Sequence, residues 1–229
     1  LRDGDYLLQS PVTWYRADQA YAMAPGYDQP IHRGVNRVID DECLYCHAGF
    51  VSRNNPQQPR ILELAIGCER CHGPSERHVS HHRSLAKADP TEASVPTPAD
   101  AHSVNPANLD RSRLESVCAQ CHLNGDAVVD VAGKSIWDFR PGEELTDTRV
   151  VYQADYGDTE DPFTDHFDQL RQSKCYQQSP SLTCITCHDP HHGEINLDLD
   201  KMYRDQCLDC HGNDDCGQSI DLRMEQQQN

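Results

Sequence analysis

The chain has 229 residues and a net charge of −17, with 37 acidic residues against 20 lysines and arginines. That balance excludes nucleic acid as a partner, because a phosphate backbone is bound through a surplus of lysine and arginine. Only 37% of the residues are hydrophobic and 7% aromatic, which is thin for a chain of this length that must fold around its own side chains.

Residues 1–37 read as an N-terminal arm. Tyr6, Trp14, Tyr15, Tyr21 and Tyr27 punctuate it without a helical period, which predicts little regular structure beyond a turn of helix near residues 13–22. His32 follows Pro30 in an extended or turn context. A short helix capped by Asp40 or Asp41 and ended by Gly49 carries Cys43-Leu44-Tyr45-Cys46-His47. The same CxxCH pattern returns at Cys68-Glu69-Arg70-Cys71-His72. Beyond Gly73-Pro74, a helix over residues 75–87 places His78, His81 and His82 on one side, a spacing that also suits zinc or copper. Residues 88–106 shift to Pro, Ala, Thr, Ser and Asp and read as a surface loop that contains His102.

Asp110 caps a predicted helix into the third motif, Cys118-Ala119-Gln120-Cys121-His122. Residues 127–131 and 135–139, separated by Gly133, read as a small hairpin closed by Arg140-Pro141-Gly142. The acidic stretch with Asp155, Asp158, Glu160 and Asp161 lacks EF-hand spacing and reads as a solvated loop rather than a calcium site. Thr164 or Asp165 caps a helix with His166 in its first turn. The fourth motif, Cys184-Ile185-Thr186-Cys187-His188, runs into Asp189-Pro190-His191-His192. A last helix, capped by Asp198 or Asp200, carries Cys207-Leu208-Asp209-Cys210-His211, and the tail from Glu225 is polar.

A pair of cysteines three apart with a histidine directly behind is the attachment pattern of haem c: the thiols bond to the porphyrin and the imidazole binds iron. Positions i, i+3 and i+4 share one face of a helical turn, so all three groups can meet one macrocycle. Structural zinc needs two CxxC pairs per metal and has no use for a histidine fixed behind each pair. Five motifs therefore predict five haems, held by Cys43 and Cys46, Cys68 and Cys71, Cys118 and Cys121, Cys184 and Cys187, and Cys207 and Cys210. His47, His72, His122, His188 and His211 are the proximal iron ligands. The haems supply the apolar surface that the composition lacks.

Eight histidines lie outside the motifs, enough to give every iron a second ligand. His32, His78, His166, His191 and His102 are assigned as distal ligands, with His81, His82 and His192 as alternatives. His191 stands three residues past His188, and three residues span at most about 10 Å. That is too short to pass round the macrocycle, so His191 serves a different haem. The first cysteines stand at 43, 68, 118, 184 and 207, so the short gaps predict that haems one and two, and haems four and five, are close pairs. Cys175 and Cys216, the two cysteines outside the motifs, are expected to form a disulfide in an oxidising compartment.

These motifs, with Tyr27-Asp28-Gln29-Pro30-Ile31-His32, Gly67-Cys68-Glu69-Arg70-Cys71-His72-Gly73-Pro74, Phe139-Arg140-Pro141-Gly142 and Cys187-His188-Asp189-Pro190-His191, resemble multihaem c-type cytochromes with doubled CxxCH motifs. Within that group the chain is most similar to cytochrome modules sometimes fused to tetratricopeptide repeats, over roughly residues 25 to 212. The resemblance implies mostly bis-histidine haems in stacked and T-shaped pairs, short helices with little sheet, and electron transfer outside the cytoplasm. It also implies that the histidine of Cys-His-Asp-Pro-His ligates a neighbouring haem, in agreement with the reach of His191. No repeat-like helical region accompanies it here, so a scaffold role does not carry over.

The expected fold is a multihaem cytochrome c, a single domain over residues 1–229. It is mostly irregular, with short α-helices and at most a small β-hairpin around five covalent haems. The expected function is electron transfer along a row of haems to redox partner proteins. The filament form of that reading is a head-to-tail homopolymer. The alternative is an oxidoreductase that keeps one iron open for a small nitrogen or sulfur compound. No apolar run approaches a membrane span. Haem attachment takes place outside the cytoplasmic membrane, so the chain is expected to be periplasmic or extracellular, with its export signal removed.

Overall fold

The computed structural model describes residues 1–4, 6–29, 31, 34–53, 59–87, 102–154, 165–191, 198–212, 219 and 221–222. His32, His192, Cys216 and the acidic residues Asp155, Asp158, Glu160 and Asp161 lie outside these, and so does most of the loop expected over residues 88–106. The chain divides into two units: Leu1–Thr13 with Met23–Ser181, and Trp14–Ala22 with Leu182–Asn229.

The secondary structure of the described residues is eight short α-helices, three 3-10 turns and eight strands, the strands paired in four two-stranded sheets. The single small hairpin expected from sequence is therefore an undercount. The N-terminal arm carries two short hairpins: β1 (Arg2–Asp3) pairs antiparallel with β2 (Tyr6–Leu7), and β3 (Val12–Tyr15) pairs with β4 (Ala20–Met23). The turn of helix expected near residues 13–22 is a β-turn region instead, with Gln19 at φ 52°. Alternating Val12, Trp14, Tyr21 and Met23 favour paired extended backbone over a helical turn.

In the first unit, helices begin where aspartates cap them. Asp40 accepts from Cys43 N at 2.9 Å and opens α1 (Asp41–His47). Asp110 accepts from Arg113 N at 3.1 Å and opens α4 (Arg111–His122). Asp165 accepts from Asp168 N at 2.8 Å and opens α5 (His166–Gln172). In each case a carboxylate satisfies an amide that the helix leaves without an acceptor. Between α1 and α4 lie the β5 (Phe50–Ser52) and β6 (Arg60–Glu63) hairpin, α2 (Glu69–His72) and α3 (Glu76–Leu85). Gly49 permits the chain to cross β6 closely: its amide donates to Glu63 O, and a Cβ there would lie 2.2 Å from Ala65 O.

β7 (Ala127–Asp130) does not pair with residues 135–139 as the sequence suggests. It pairs antiparallel with β8 (Arg149–Tyr152), Val128 opposite Val151 and Val129 opposite Val150. The intervening residues turn into a short 3-10 helix, Ile136–Asp138, because Asp138 accepts from both the amide and the hydroxyl of Ser135. After α5, α6 (Lys174–Gln178) starts at Ser173. The core is small: Leu44, Ala48 and Val51 pack with Leu7, Ile39, Ile61 and Trp137, while Leu114, Val117 and Ala119 of α4 are buried together with its Glu115, Ser116 and Gln120.

The second unit holds α7 (Cys184–Cys187) and α8 (Leu199–Leu208), the latter capped by Asp198. The His188 ring meets Tyr203 of α8 edge-on, with centroids 5.9 Å apart. No described side chain of this unit is buried.

Candidate functional site

Each of the five CxxCH segments forms one helical turn. In α1 and α4 the whole motif lies within the helix. In the other three, the amide of the motif histidine donates back to the first cysteine: His72 to Cys68 at 2.9 Å, His188 to Cys184 at 3.0 Å and His211 to Cys207 at 3.0 Å. That i to i+4 bond sets both sulfurs and the imidazole along one face, the donor set that haem c requires. The surroundings of His72 fit as well. Its Nδ1 lies 2.7 Å from the carbonyl of Val104, which leaves Nε2 as the nitrogen that could face a metal, in the manner of metal-binding histidines whose other nitrogen is held by a carbonyl.

In the first three motifs the second residues between the cysteines meet. Tyr45 Oη donates to Gln120 Oε1 at 2.6 Å, and Gln120 Nε2 donates to the Arg70 carbonyl at 3.1 Å. The Arg70 guanidinium lies over the Tyr45 ring at 4.2 Å, and Trp137 closes the cluster edge-on to Tyr45 at 5.0 Å. Tyr45, Arg70 and Gln120 all occupy the second position between their cysteines, so three attachment turns are joined through one hub. The first turn also touches the third directly: the Cys46 thiol donates to the Gln120 carbonyl at 3.9 Å. Chain proximity alone therefore does not set the grouping; the first turn packs against the third as well as the second.

Two ion-pair networks brace these turns. Arg149, 7% exposed, donates through both terminal nitrogens to Glu42, at 2.9 and 3.0 Å, and through Nε to Asp130 at 2.9 Å. This ties the first attachment helix to the β7–β8 hairpin. Glu115, one turn before Cys118, is buried and accepts from Arg111 and Tyr176.

The hub also makes the first motif pH-sensitive. Burial pushes the Tyr45 hydroxyl up to about 12, the leading cause, with nearby Arg70 opposing it. The unfolded chain releases this proton near pH 10, so the hub's contribution is complete below pH 10 and is lost as pH rises towards 12. The loss is on the order of 2 kcal/mol. Melting curves between pH 9 and about 12 are expected to show this step in the wild type and not in Tyr45→Phe.

The distal candidates are placed unevenly. His78, His81 and His82 lie on α3, and their rings contact one another and His102: His78 to His82 at 4.6 Å, His81 to His82 at 5.3 Å and His81 to His102 at 5.5 Å. Among the described residues no group of three or more histidines, cysteines or carboxylates converges as a separate metal site. His166 stands exposed at the first position of α5. His191 is exposed, with its amide on Asp189 Oδ1 at 2.9 Å. His32 and His192 lie outside the described residues.

Sequence reading missed the Tyr45, Arg70 and Gln120 hub, the Trp137 that closes it and the Val104 carbonyl. One signal was present: the second intervening residue is long in these three motifs but is Thr186 and Asp209 in the others. Thr186 serves its own turn, accepting from the Thr183 amide at 3.0 Å.

Comparison with known proteins agrees with this donor chemistry. Residues 13–73, which include the first two motifs, match the family model of cytochrome c554 and c-prime. Residues 180–215, which include the last two, match that of the doubled CXXCH motif. The third motif lies outside both. No curated protein matches the chain, and no solved structure does. No described helix is long and apolar enough to cross a membrane.

Proposed function

We propose, from the premise that this chain is a multihaem c-type cytochrome, that it is an exported electron carrier with five bis-histidine haems and no substrate of its own. Haem iron supplies the redox chemistry, taking up and giving back one electron. The chain's residues do the rest. The ten motif cysteines would anchor the porphyrins, the five motif histidines would each supply one iron ligand, and His32, His78, His102, His166 and His191 would supply the second. The observation that carries the reading is the hub of Tyr45, Arg70 and Gln120, which fixes three attachment turns against one another. Centres anchored on touching turns are neighbours, the arrangement that lets electrons move through a protein without a diffusing mediator.

Intact-mass measurement is expected to give five haems, and electron paramagnetic resonance of the oxidised protein only low-spin signals. His191→Ala is expected to convert one haem to high spin. A high-spin iron in the wild type would instead favour the oxidoreductase reading, and fewer than five haems would overturn the ligand assignment. The finer form of the proposal is a head-to-tail filament facing basic or identical partners outside the cell. A net charge of −17 opposes association at low ionic strength, so the contact must be specific. Light scattering that finds a monodisperse monomer at physiological salt across a wide concentration range would rule the filament out.

A further inference from the structure

Val104 holds the second motif histidine at two points. The Val104 amide donates to the His72 carbonyl at 2.9 Å, and His72 Nδ1 lies 2.7 Å from the Val104 carbonyl. The two residues stand 32 positions apart, so these bonds bring a distant segment of chain onto the imidazole rather than continue a helix. Val104 is itself held from two directions. Its side chain lies over Gly142, where an added Cβ would come 3.6 Å from one of the Val104 methyls. The next residue, Asn105, accepts from Ala107 N at 3.1 Å and opens the 3-10 helix Pro106–Asn108 that leads to α4. His102 stands two residues before Val104, and its ring meets that of His81 on α3 with centroids 5.5 Å apart.

An imidazole whose Nδ1 is taken by a carbonyl binds a metal through Nε2, on the other side of the ring. Under the five-haem reading, on which this inference rests, Val104 therefore lies on the same face of the second haem as His72, with the imidazole between it and the iron. Two residues span at most about 7 Å. That length with one imidazole added does not pass from Val104 round the edge of the macrocycle to the opposite axial position. Nor is the segment free to swing closer, because Val104 is fixed on His72 and on Gly142, and Asn105 on the turn that follows. We infer that residues 102–104 bridge two haems: Val104 fixes the proximal ligand of the second, and His102 ligates the iron of a different one. The two irons are then joined by a short route, from one imidazole through a hydrogen bond to the Val104 carbonyl and along two residues to the other imidazole. The second iron takes its distal ligand from outside this segment.

The test counts high-spin irons by electron paramagnetic resonance of the oxidised, assembled protein. His102→Ala is expected to convert one haem of five. The same substitution is expected to convert one haem of four in a protein that lacks the second haem through Cys68→Ala and Cys71→Ala, because the iron that His102 serves is still there. No additional high-spin iron in the four-haem protein would place His102 on the second haem and overturn the bridge. No high-spin iron in either protein would show that His102 is not a ligand and would overturn it equally. Should the four-haem protein fail to mature, Val104→Pro, which removes the amide that donates to His72, decides by potentials. Combined with His102→Ala, it is expected to shift the midpoint potential of one low-spin haem. A shift of the high-spin haem instead, or no shift at all, would overturn the inference. Failure of the five-haem reading is seen separately, as a haem count below five or a high-spin iron in the wild type.

Discussion

Alanine at Cys184, Cys187, Cys207 and Cys210 is expected to leave the second unit unfolded while the first retains its structure. All the buried hydrophobic side chains among the described residues belong to the first unit. In the second, α7 and α8 are short and their described side chains are all at least partly exposed; Ile185 and Tyr203 are each 37% accessible. Ordering a residue costs about 1–2 kcal/mol of backbone entropy, and helices of this length do not hold in water by themselves. Apolar surface must therefore come from the porphyrins that the four cysteines would anchor. Hydrogen exchange followed by mass spectrometry is the measurement. Amides of residues 199–208 should exchange at the rate of an unfolded chain in the variant and slowly in the loaded protein. Slow exchange in both would show that the unit folds without its cofactors.

Glu115→Ala is expected to destabilise the first unit by about 3–5 kcal/mol, the range for removing one partner of a buried ion pair. Glu115 is 2% exposed and accepts from Arg111 Nε at 3.1 Å and Tyr176 Oη at 2.8 Å. Arg111 also donates to the Tyr176 carbonyl and lies over its ring at 3.2 Å, so the pair clamps α6 onto α4 one turn before the third motif. Without the carboxylate, Arg111, only partly exposed, keeps its charge without its ion-pair partner. Tyr176→Phe, which leaves the ion pair intact, is expected to cost about 1.5–3 kcal/mol, the range for a hydrogen bond to a charged group. Denaturant melts of the two variants check the order; equal losses would mean that the hydroxyl rather than the ion pair carries the clamp.

What could be read in advance follows the range of the interactions involved. The CxxCH turns and the caps depend on residues within one turn of each other and were legible, Asp110 singly and Asp40, Asp165 and Asp198 each as one of two candidates. The strand partner of Val128–Val129 was not, because Val150–Val151 lies across a 3-10 turn whose Ser135 and Asp138 resemble strand termini in sequence. The arm was misread for a related reason: pairing of Trp14 and Tyr21 strands shows no period over so few residues. Arg70 was marked only as part of the Cys-Glu-Arg-Cys-His-Gly-Pro stretch that carries the resemblance, which says nothing of what its side chain meets. Its position between two cysteines suggests a solvated spacer, and only the approach of Tyr45 and Gln120 from distant parts of the chain gives it surroundings.

The hub has a consequence for biogenesis. Tyr45 and Gln120 are separated by 75 positions and Arg70 and Gln120 by 50, so these contacts have high contact order and form late. Each is flanked by a cysteine pair that must still be reached by the attachment machinery while the chain is open. Closure of the hub is therefore expected to follow the meeting of three distant segments, and a chain in which one of the three turns is held away from the others is expected to leave all three looser and more open to proteolysis.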